Sequence, residues 1–209
     1  MARGALIVLE GVDRAGKSTQ CRKLVEALAP TSEYFKFPDR STEIGKTVDK
    51  YLRNEIELSD EAVHLLFSAN RWELQQSIID KLKSGINIIV DRYAFSGIAF
   101  TAAKPGFSLE WCMKPDIGLP RPDRCYYLTL PGKDQEGRGE FGAERYEKTD
   151  FQKRVAENFR TIIKQDQGSG LWKEINAAQS IEDVFQDIYD DLKSVVESTA
   201  DKEIEKLWI

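Results

Sequence analysis

Eight consecutive residues, Gly11-Val12-Asp13-Arg14-Ala15-Gly16-Lys17-Ser18, set glycines, a lysine and a hydroxyl at the spacing G-x-x-x-x-G-K-[ST]. Glycines let the backbone curl until successive N–H groups point inward, and a helix starting there adds partial positive charge. That chemistry cradles phosphate. Lys17 would neutralise the outer phosphates of a nucleoside triphosphate, and the Ser18 hydroxyl would complete the coordination of Mg²⁺. A plain glycine turn ahead of a helix is the competing reading, and the apolar run before the loop together with the amphipathic stretch after it argues against that.

Three further residues could meet a nucleotide. Asp91 ends the apolar run 86–90, at the strand end where a carboxylate approaches the metal in nucleotide-binding sheets. Arg92 follows it, a bidentate donor for phosphate oxygens. Arg40 closes Phe37-Pro38-Asp39-Arg40 after a second strand. Read singly, the aspartate could cap a turn and the arginine could face solvent. Two arginines and a lysine at one sheet edge would hold more phosphate than one triphosphate supplies, which points to a second, phosphorylated substrate.

Such residues need a scaffold. Apolar runs alternate with segments of helical period, the pattern of βαβ units around a buried parallel sheet. Strands are expected at residues 5–10, 34–37, 86–91, 124–130 and 172–176. Ile181, Val184, Phe185, Ile188 and Leu192 recur at helical spacing behind Ser180 as N-cap, a face expected to pack on the sheet. A long helix over 59–83 would carry Phe67 and Arg71 four residues apart on one face. The terminal Ile204, Leu207 and Trp208 form an apolar end expected to dock on the domain. The fold expectation is therefore α/β, a three-layer phosphate-loop NTPase fold with a five-stranded parallel sheet flanked by helices, in one domain over 1–209.

Composition narrows the chemistry. The 209 residues are 41% hydrophobic and 31% charged with a net charge of −5, so no broad cationic surface exists for a nucleic-acid polymer. Apolar runs stay far below the roughly 18 residues of a membrane span, and the run after Arg3 reads as a strand rather than a leader. Three separated cysteines, Cys21, Cys112 and Cys125, suit reduced thiols in the cytoplasm, with a nuclear share left open. A single histidine, His64, rules against mechanisms built on a histidine base and is read as structural. Residues 131–148 interleave four glycines with charges and few apolar anchors, so they are a surface loop or a lid over substrate.

Taken together, the phosphate loop, Phe37-Pro38-Asp39-Arg40, Phe67-Ser68-Ala69-Asn70-Arg71-Trp72, Asp91-Arg92-Tyr93-Ala94-Phe95-Ser96-Gly97 and Gly118-Leu119-Pro120-Arg121-Pro122-Asp123 resemble thymidylate kinases of the eukaryotic form. The resemblance runs along nearly the whole chain. It implies transfer of the ATP γ-phosphoryl group to dTMP, giving dTDP for dTTP biosynthesis, with Mg²⁺ bound at Ser18 and Asp91. It implies ATP contacts from Gly11, Asp13, Arg14, Ala15, Gly16, Lys17, Ser18 and Thr19. Arg14, Lys17, Asp91 and Arg92 would be catalytic, and Arg138 would share that role from the lid at 131–148. Arg40 and Arg92 would hold the acceptor phosphate, with Asp13 near the 3′-hydroxyl. Phe67 would stack on thymine and Arg71 donate to a base carbonyl. Phe37, Ser96 and Gly97 would line the dTMP pocket, Phe100 would crowd the 2′ position, and Tyr146 would reach in from the lid with Glu144. Arg145 is a second lid arginine. The family resemblance also implies a homodimer, through helices such as 59–83.

Competing readings are another small nucleotide kinase, a GTP switch and a non-catalytic nucleotide-binding protein. The switch lacks N-K-x-D, and its only D-x-x-G outside the phosphate loop starts at Asp134, beyond the fourth strand. The intact lysine, serine, aspartate and arginines argue against a binding-only protein.

Overall fold

Strand β1 (Leu6–Glu10) is buried at every position because it lies at the centre of the sheet. In the computed structural model, which describes residues 2–130 and 144–209, five strands run in the order β2-β3-β1-β4-β5. They are β2 (Ser32–Lys36), β3 (Asn87–Asp91), β4 (Arg124–Thr129) and β5 (Trp172–Asn176) beside β1, all paired in parallel. Helices cover both faces, so the central strands carry continuous apolar sequence rather than alternation. The expected strands are thus all present, with β2 starting two residues earlier than the expected 34–37 and Phe37 falling just past its end.

Register decides what meets at the sheet edge. Leu9 and Lys36 both pair with Asp91, so β1, β2 and β3 finish at one level. At the end of β3 the Arg92 amide donates to the Leu9 carbonyl on one side, and the Phe37 amide donates to the Asp91 carbonyl on the other, both at 3.0 Å. In parallel α/β sheets this carboxyl edge, where connections diverge, is where ligands bind.

Helix α1 (Lys17–Ala27) begins after Gly16 with no side chain capping it. Its first amides therefore remain available to an anion. Helix α2 (Glu43–Leu52) is capped by Thr42, whose hydroxyl accepts from the Gly45 amide. The single helix expected over 59–83 is instead two: α3 (Asp60–Trp72), capped by Ser59, and α4 (Gln75–Lys83). The helical period continues across the break, but the two halves have different neighbours. α3 packs on α5 (Ala94–Ala102) and α4 packs on β3. The axis turns at Glu73 and Leu74, where the Leu74 amide donates back to the Arg71 carbonyl at 3.2 Å.

Short α6 (Leu109–Met113) runs into a single 3₁₀ turn, Lys114–Asp116, which returns against α3. Helix α7 (Thr149–Gln165) packs on α5, and α8 (Ile181–Thr199) packs on α1 and β5. Along α8, Val184, Ile188 and Leu192 are buried as expected, whereas Ile181 in the first turn is 60% exposed. The terminal segment docks: the Leu207 amide donates to the Leu119 carbonyl at 2.8 Å, and Trp208 sets its ring at a right angle to Phe95. All three cysteines are buried and free.

Candidate active site

The phosphate loop takes its shape from residues with positive φ. Gly11 has φ +142, and a Cβ there would lie 2.6 Å from the Leu128 carbonyl oxygen, so only glycine lets β4 come this close. Gly16 (φ 91) and Arg14 (φ 64) complete the curl. Lys17 is 5% exposed and its Nζ donates to the Val12 carbonyl at 2.6 Å. Burial, followed by the charge of Arg92, pulls its pKa down to about 8 against the opposing pull of Asp91, Asp13 and Glu10.

Ser18 donates its hydroxyl proton to Oδ2 of Asp91, and the Tyr34 hydroxyl donates to the same oxygen at 3.2 Å. Burial alone would raise the pKa of Asp91, but Lys17, Arg92 and the Ser18 hydrogen bond hold it below the usual carboxylate value. Ser18 and Asp91 thus form a hard oxygen pair with an ionised carboxylate, the donor type Mg²⁺ takes. Among the described residues no group of three or more His, Cys, Asp or Glu converges on one point, so a cation here would need phosphate or water for its remaining ligands.

Arg92 (φ 66) bridges two elements. Its Nη1 donates to the Gly11 carbonyl at 3.1 Å and to Ser96 Oγ at 3.2 Å, its Nη2 pairs with Asp13, and its guanidinium sits 5.1 Å from the Phe100 ring centre. Behind it lies Glu10, fully buried, accepting from the backbone amides of Tyr93 at 2.9 Å and Ser96 at 3.0 Å and from the Ser96 hydroxyl. Burial raises the Glu10 pKa. This carboxylate caps the start of α5 from the end of β1 and so couples the position of Arg92 to the phosphate loop. Sequence reasoning passed over it because it reads as the last residue of a strand.

Gln152, on α7, was also missed. It is 1% exposed, its Oε1 accepts from the Asp13 amide at 3.0 Å, and its Nε2 donates to Asp13 Oδ2 at 2.6 Å and to the Tyr146 carbonyl at 2.9 Å. It therefore ties the phosphate loop to the described end of the 131–148 segment. That end brings carboxylates to the arginines: Glu144 pairs with Arg40 at 2.8 Å and Glu147 with Arg14 at 3.4 Å, while Asp49 holds the other side of Arg40 at 2.6 Å. Arg145 turns the other way. It binds the Tyr51 carbonyl and Glu57 and lies 4.1 Å from the Tyr51 ring centre, so it braces the segment against α2 rather than facing phosphate. Arg138 lies outside the described residues.

A second group sits on α3 and α5. Arg71 is 2% exposed and donates from Nε at 3.1 Å and Nη2 at 2.6 Å to Asp116, which is fully buried and also accepts from the Ser68 hydroxyl at 2.7 Å. Gly97 makes room for it, since a Cβ there would lie 2.8 Å from Nη2. Phe67 is half-buried against Val48, Tyr51, Leu52 and Val63. Tyr146 stacks on Phe151 with ring centres 5.1 Å apart and leans on Phe100 at 5.8 Å. Asp116 carried no sequence signal beyond its neighbour Pro115.

These residues wall one cavity of about 410 Å³. Asp13, Arg14, Gly16, Lys17, Ser18 and Thr19 line it from the loop and α1; Phe37, Arg40, Asp91 and Arg92 from the sheet edge; Phe67, Arg71, Ser96, Gly97, Phe100 and Tyr146 from the rest of the wall. Gly11 and Ala15, expected to touch ATP, do not line it: Ala15 is 2% exposed in the core and Gly11 shapes the turn. Lys36, Leu52, Tyr93, Thr101 and Glu147 line it without having been anticipated as site residues.

A parallel sheet with a glycine-lysine-serine loop after β1 and an aspartate ending the neighbouring strand defines a phosphate-loop NTPase fold, and the second arginine-rich wall fits a phosphotransferase with two substrates. Comparison with known proteins narrows this class. The family model described as thymidylate kinase matches residues 9–188. The thymidylate kinase of Danio rerio is 52% identical over 209 residues, covering 99% of this chain and 98% of that protein. That of Homo sapiens is 51% identical with the same coverage. A solved thymidylate kinase from Candida albicans superposes with a TM-score of 0.91 at 39% identity, covering 99% of both chains. The chain belongs to the thymidylate kinase family and is a nucleoside monophosphate kinase.

Proposed function

We propose that the protein transfers the γ-phosphoryl group of ATP to dTMP, yielding dTDP for dTTP synthesis. The observation that carries this reading is a single cavity with Lys17 and Ser18, Phe67 and Arg71, and the arginines Arg14, Arg40 and Arg92 all on its walls. One phosphate chain does not need that many cations. Two phosphorylated substrates meeting end to end do.

Phosphoryl transfer through a loose transition state depends on alignment and charge neutralisation rather than on a base of unusual pKa. Residues 11–19 would receive the ATP phosphates, with Lys17 on the outer ones and Arg14 on the moving group. Arg40 and Arg92 would hold the dTMP phosphate, displacing Glu144 and Asp13 from their ion pairs. Asp13 would then be near the 3′-hydroxyl. Phe67 would stack on thymine, Arg71 would donate to a base carbonyl, and Phe37, Ser96 and Gly97 would shape the pocket. Phe100 would crowd the 2′ position and Tyr146 would close the wall. Ser18 and Asp91 would hold Mg²⁺, which when bound supplies charge neutralisation on the phosphates. Arg138 is the second catalytic arginine of this reading, in a lid over 131–148 within one domain spanning 1–209.

The chain is proposed to act as a homodimer. Leu65 (50% exposed) and Trp72 (37% exposed) stand seven residues apart on α3 and offer an apolar stripe for a second copy. No described helix is long and apolar enough to cross a membrane, and three buried free thiols fit a cytoplasmic setting, with a nuclear share left open.

The test is to supply Mg-ATP with equimolar dTMP, dUMP, dCMP, dGMP, AMP and UMP and to resolve the diphosphates by chromatography. dTDP is expected to dominate, with dUDP second. Another dominant diphosphate overturns the substrate, and no diphosphate overturns the activity.

A further inference from the structure

Asp91 is held in the cavity wall by two hydroxyl donors that arrive from different elements at one oxygen. Ser18 reaches Oδ2 from the start of α1, and the Tyr34 hydroxyl reaches the same atom from β2 at 3.2 Å. An ionised carboxylate only accepts, so both hydroxyls donate to it. Oδ1 stands outside this pair of bonds. Ser18 lines the cavity beside Asp91, whereas Tyr34 is not a wall residue: it is half-buried and packs against the core.

Strand register explains how the phenol gets there. Lys36 pairs with Asp91 and Tyr34 with Ile89, so Tyr34 lies two residues back from the level of Asp91 on the neighbouring strand. Two residues return to the same face of a strand and span about 6.6 Å. A tyrosine side chain covers that length along the strand, and a serine or threonine does not. The face is the one that α1 packs on, since Ser18 meets Asp91 there. Tyr34 thus brings an O–H to the carboxylate without taking a place in the cavity wall.

What a second donor adds is orientation. The χ2 torsion of an aspartate is broad and roughly two-fold, so one hydrogen bond fixes the distance of an oxygen and leaves the carboxylate plane free to swing. Two donors converging on Oδ2 from α1 and β2 restrict that swing. They also orient Ser18: with its proton directed at Asp91, the hydroxyl has only lone pairs to offer elsewhere. A hard cation is bound by oxygen lone pairs, so a pair whose lone pairs are already aimed holds it best.

From this geometry we infer that Tyr34 is a positioning residue of the cation site, holding the Asp91 carboxylate, and through it the Ser18 hydroxyl, in the arrangement that takes a divalent cation. This role rests on the reading of Ser18 and Asp91 as the Mg²⁺ pair in the proposed function. Tyr34 acts through Asp91 and is not itself a catalytic residue.

Tyr34→Phe keeps the ring and its packing and removes only the donor. Mn²⁺ serves as the probe, because its EPR signal reports the free ion directly. With the protein saturated by the β,γ-imido analogue of ATP, the Mn²⁺ dissociation constant should rise about tenfold in Tyr34→Phe. Binding of the same nucleotide in EDTA should be unchanged. The Mg²⁺ concentration for half-maximal rate should rise by a similar factor, while kcat at saturating Mg²⁺ and the KM for dTMP stay near wild type. A role confined to packing would lower the urea midpoint and leave the Mn²⁺ constant where it was. An unchanged Mn²⁺ constant in Tyr34→Phe overturns the inference, and so does an equal weakening of nucleotide binding in EDTA, which would place the damage in the loop as a whole. Wild-type protein that takes up no more Mn²⁺ than the nucleotide binds by itself removes the Ser18 and Asp91 reading instead, so the wild-type titration alone separates the two failures.

Discussion

The two arginine-bearing walls of the cavity are built on different terms. Around the phosphate loop, Arg92 pairs with Asp13, Arg40 with Glu144 and Arg14 with Glu147, all in partly exposed contacts with side chains 16% to 37% accessible. On the α3 side, Arg71 and Asp116 are 2% and 0% accessible and make a forked contact with a third partner in Ser68. The first kind of pair can exchange a carboxylate for a phosphate at little cost, because each ion keeps part of its hydration. The second kind cannot be opened without leaving a charge stranded in the interior. In the proposed function, phosphate groups that must bind, move and leave would be met by exchangeable pairs, and a base that must only be recognised would be met by an arginine whose geometry is locked.

The largest expected effect tests the locked side. Asp116→Ala leaves Arg71 buried and uncompensated and should cost about 3–5 kcal/mol of stability in urea unfolding. A loss under about 1 kcal/mol would erase the distinction between the walls. On the exchangeable side, Arg14→Ala should lower kcat on the order of 10²-fold to 10³-fold with little change in the KM for dTMP, measured by steady-state kinetics. Equal turnover would remove Arg14 from the transition state.

Lys17 gives a pH test of the same wall. Its pKa lies at about 8, below the ordinary lysine value, so the protonated form that attracts phosphate is present below that pH and lost above it. The kcat/KM for ATP should hold from neutral pH to about 8 and then fall about tenfold per pH unit. A flat profile to pH 10 would mean that the loop lysine is not lowered in the free enzyme. The smallest effect belongs to Glu144→Ala, which should change stability by less than about 1 kcal/mol and leave the KM for dTMP no higher, since Arg40 is freed for phosphate. A clear rise in that KM would show that Glu144 orients Arg40 rather than standing in for substrate.

The two walls also differ in how far they could be read in advance. The phosphate side is written in short spans: a glycine spacing, a lysine and serine at a helix start, an aspartate and arginine after an apolar run. Each depends on local backbone geometry, which neighbouring residues largely dictate. Glu10, Gln152 and Asp116 gave no comparable signal. Their roles arise from partners 83, 139 and 45 residues away, such as Tyr93, Asp13 and Arg71, and isolated carboxylates or amides look alike until those partners are known. The break between α3 and α4 was hidden for a related reason: the hydrophobic period runs on through it, and only the separate seats on α5 and β3 force the axis to turn. Ile181 kept the helical period of α8 yet stayed outside, because period assigns a face and not the depth at which the first turn starts.

By itself the sequence determined the five strands, the phosphate loop, the strand-end aspartate and the family, since these follow from local propensity, apolar periodicity and motif spacing. Tertiary structure alone decided which charges are exchangeable and which are locked. It also decided that Arg145 braces rather than reaches inward. Burial and hydrogen-bond partnership are properties of the packed chain, and desolvation turns them into chemistry only once distant segments have met.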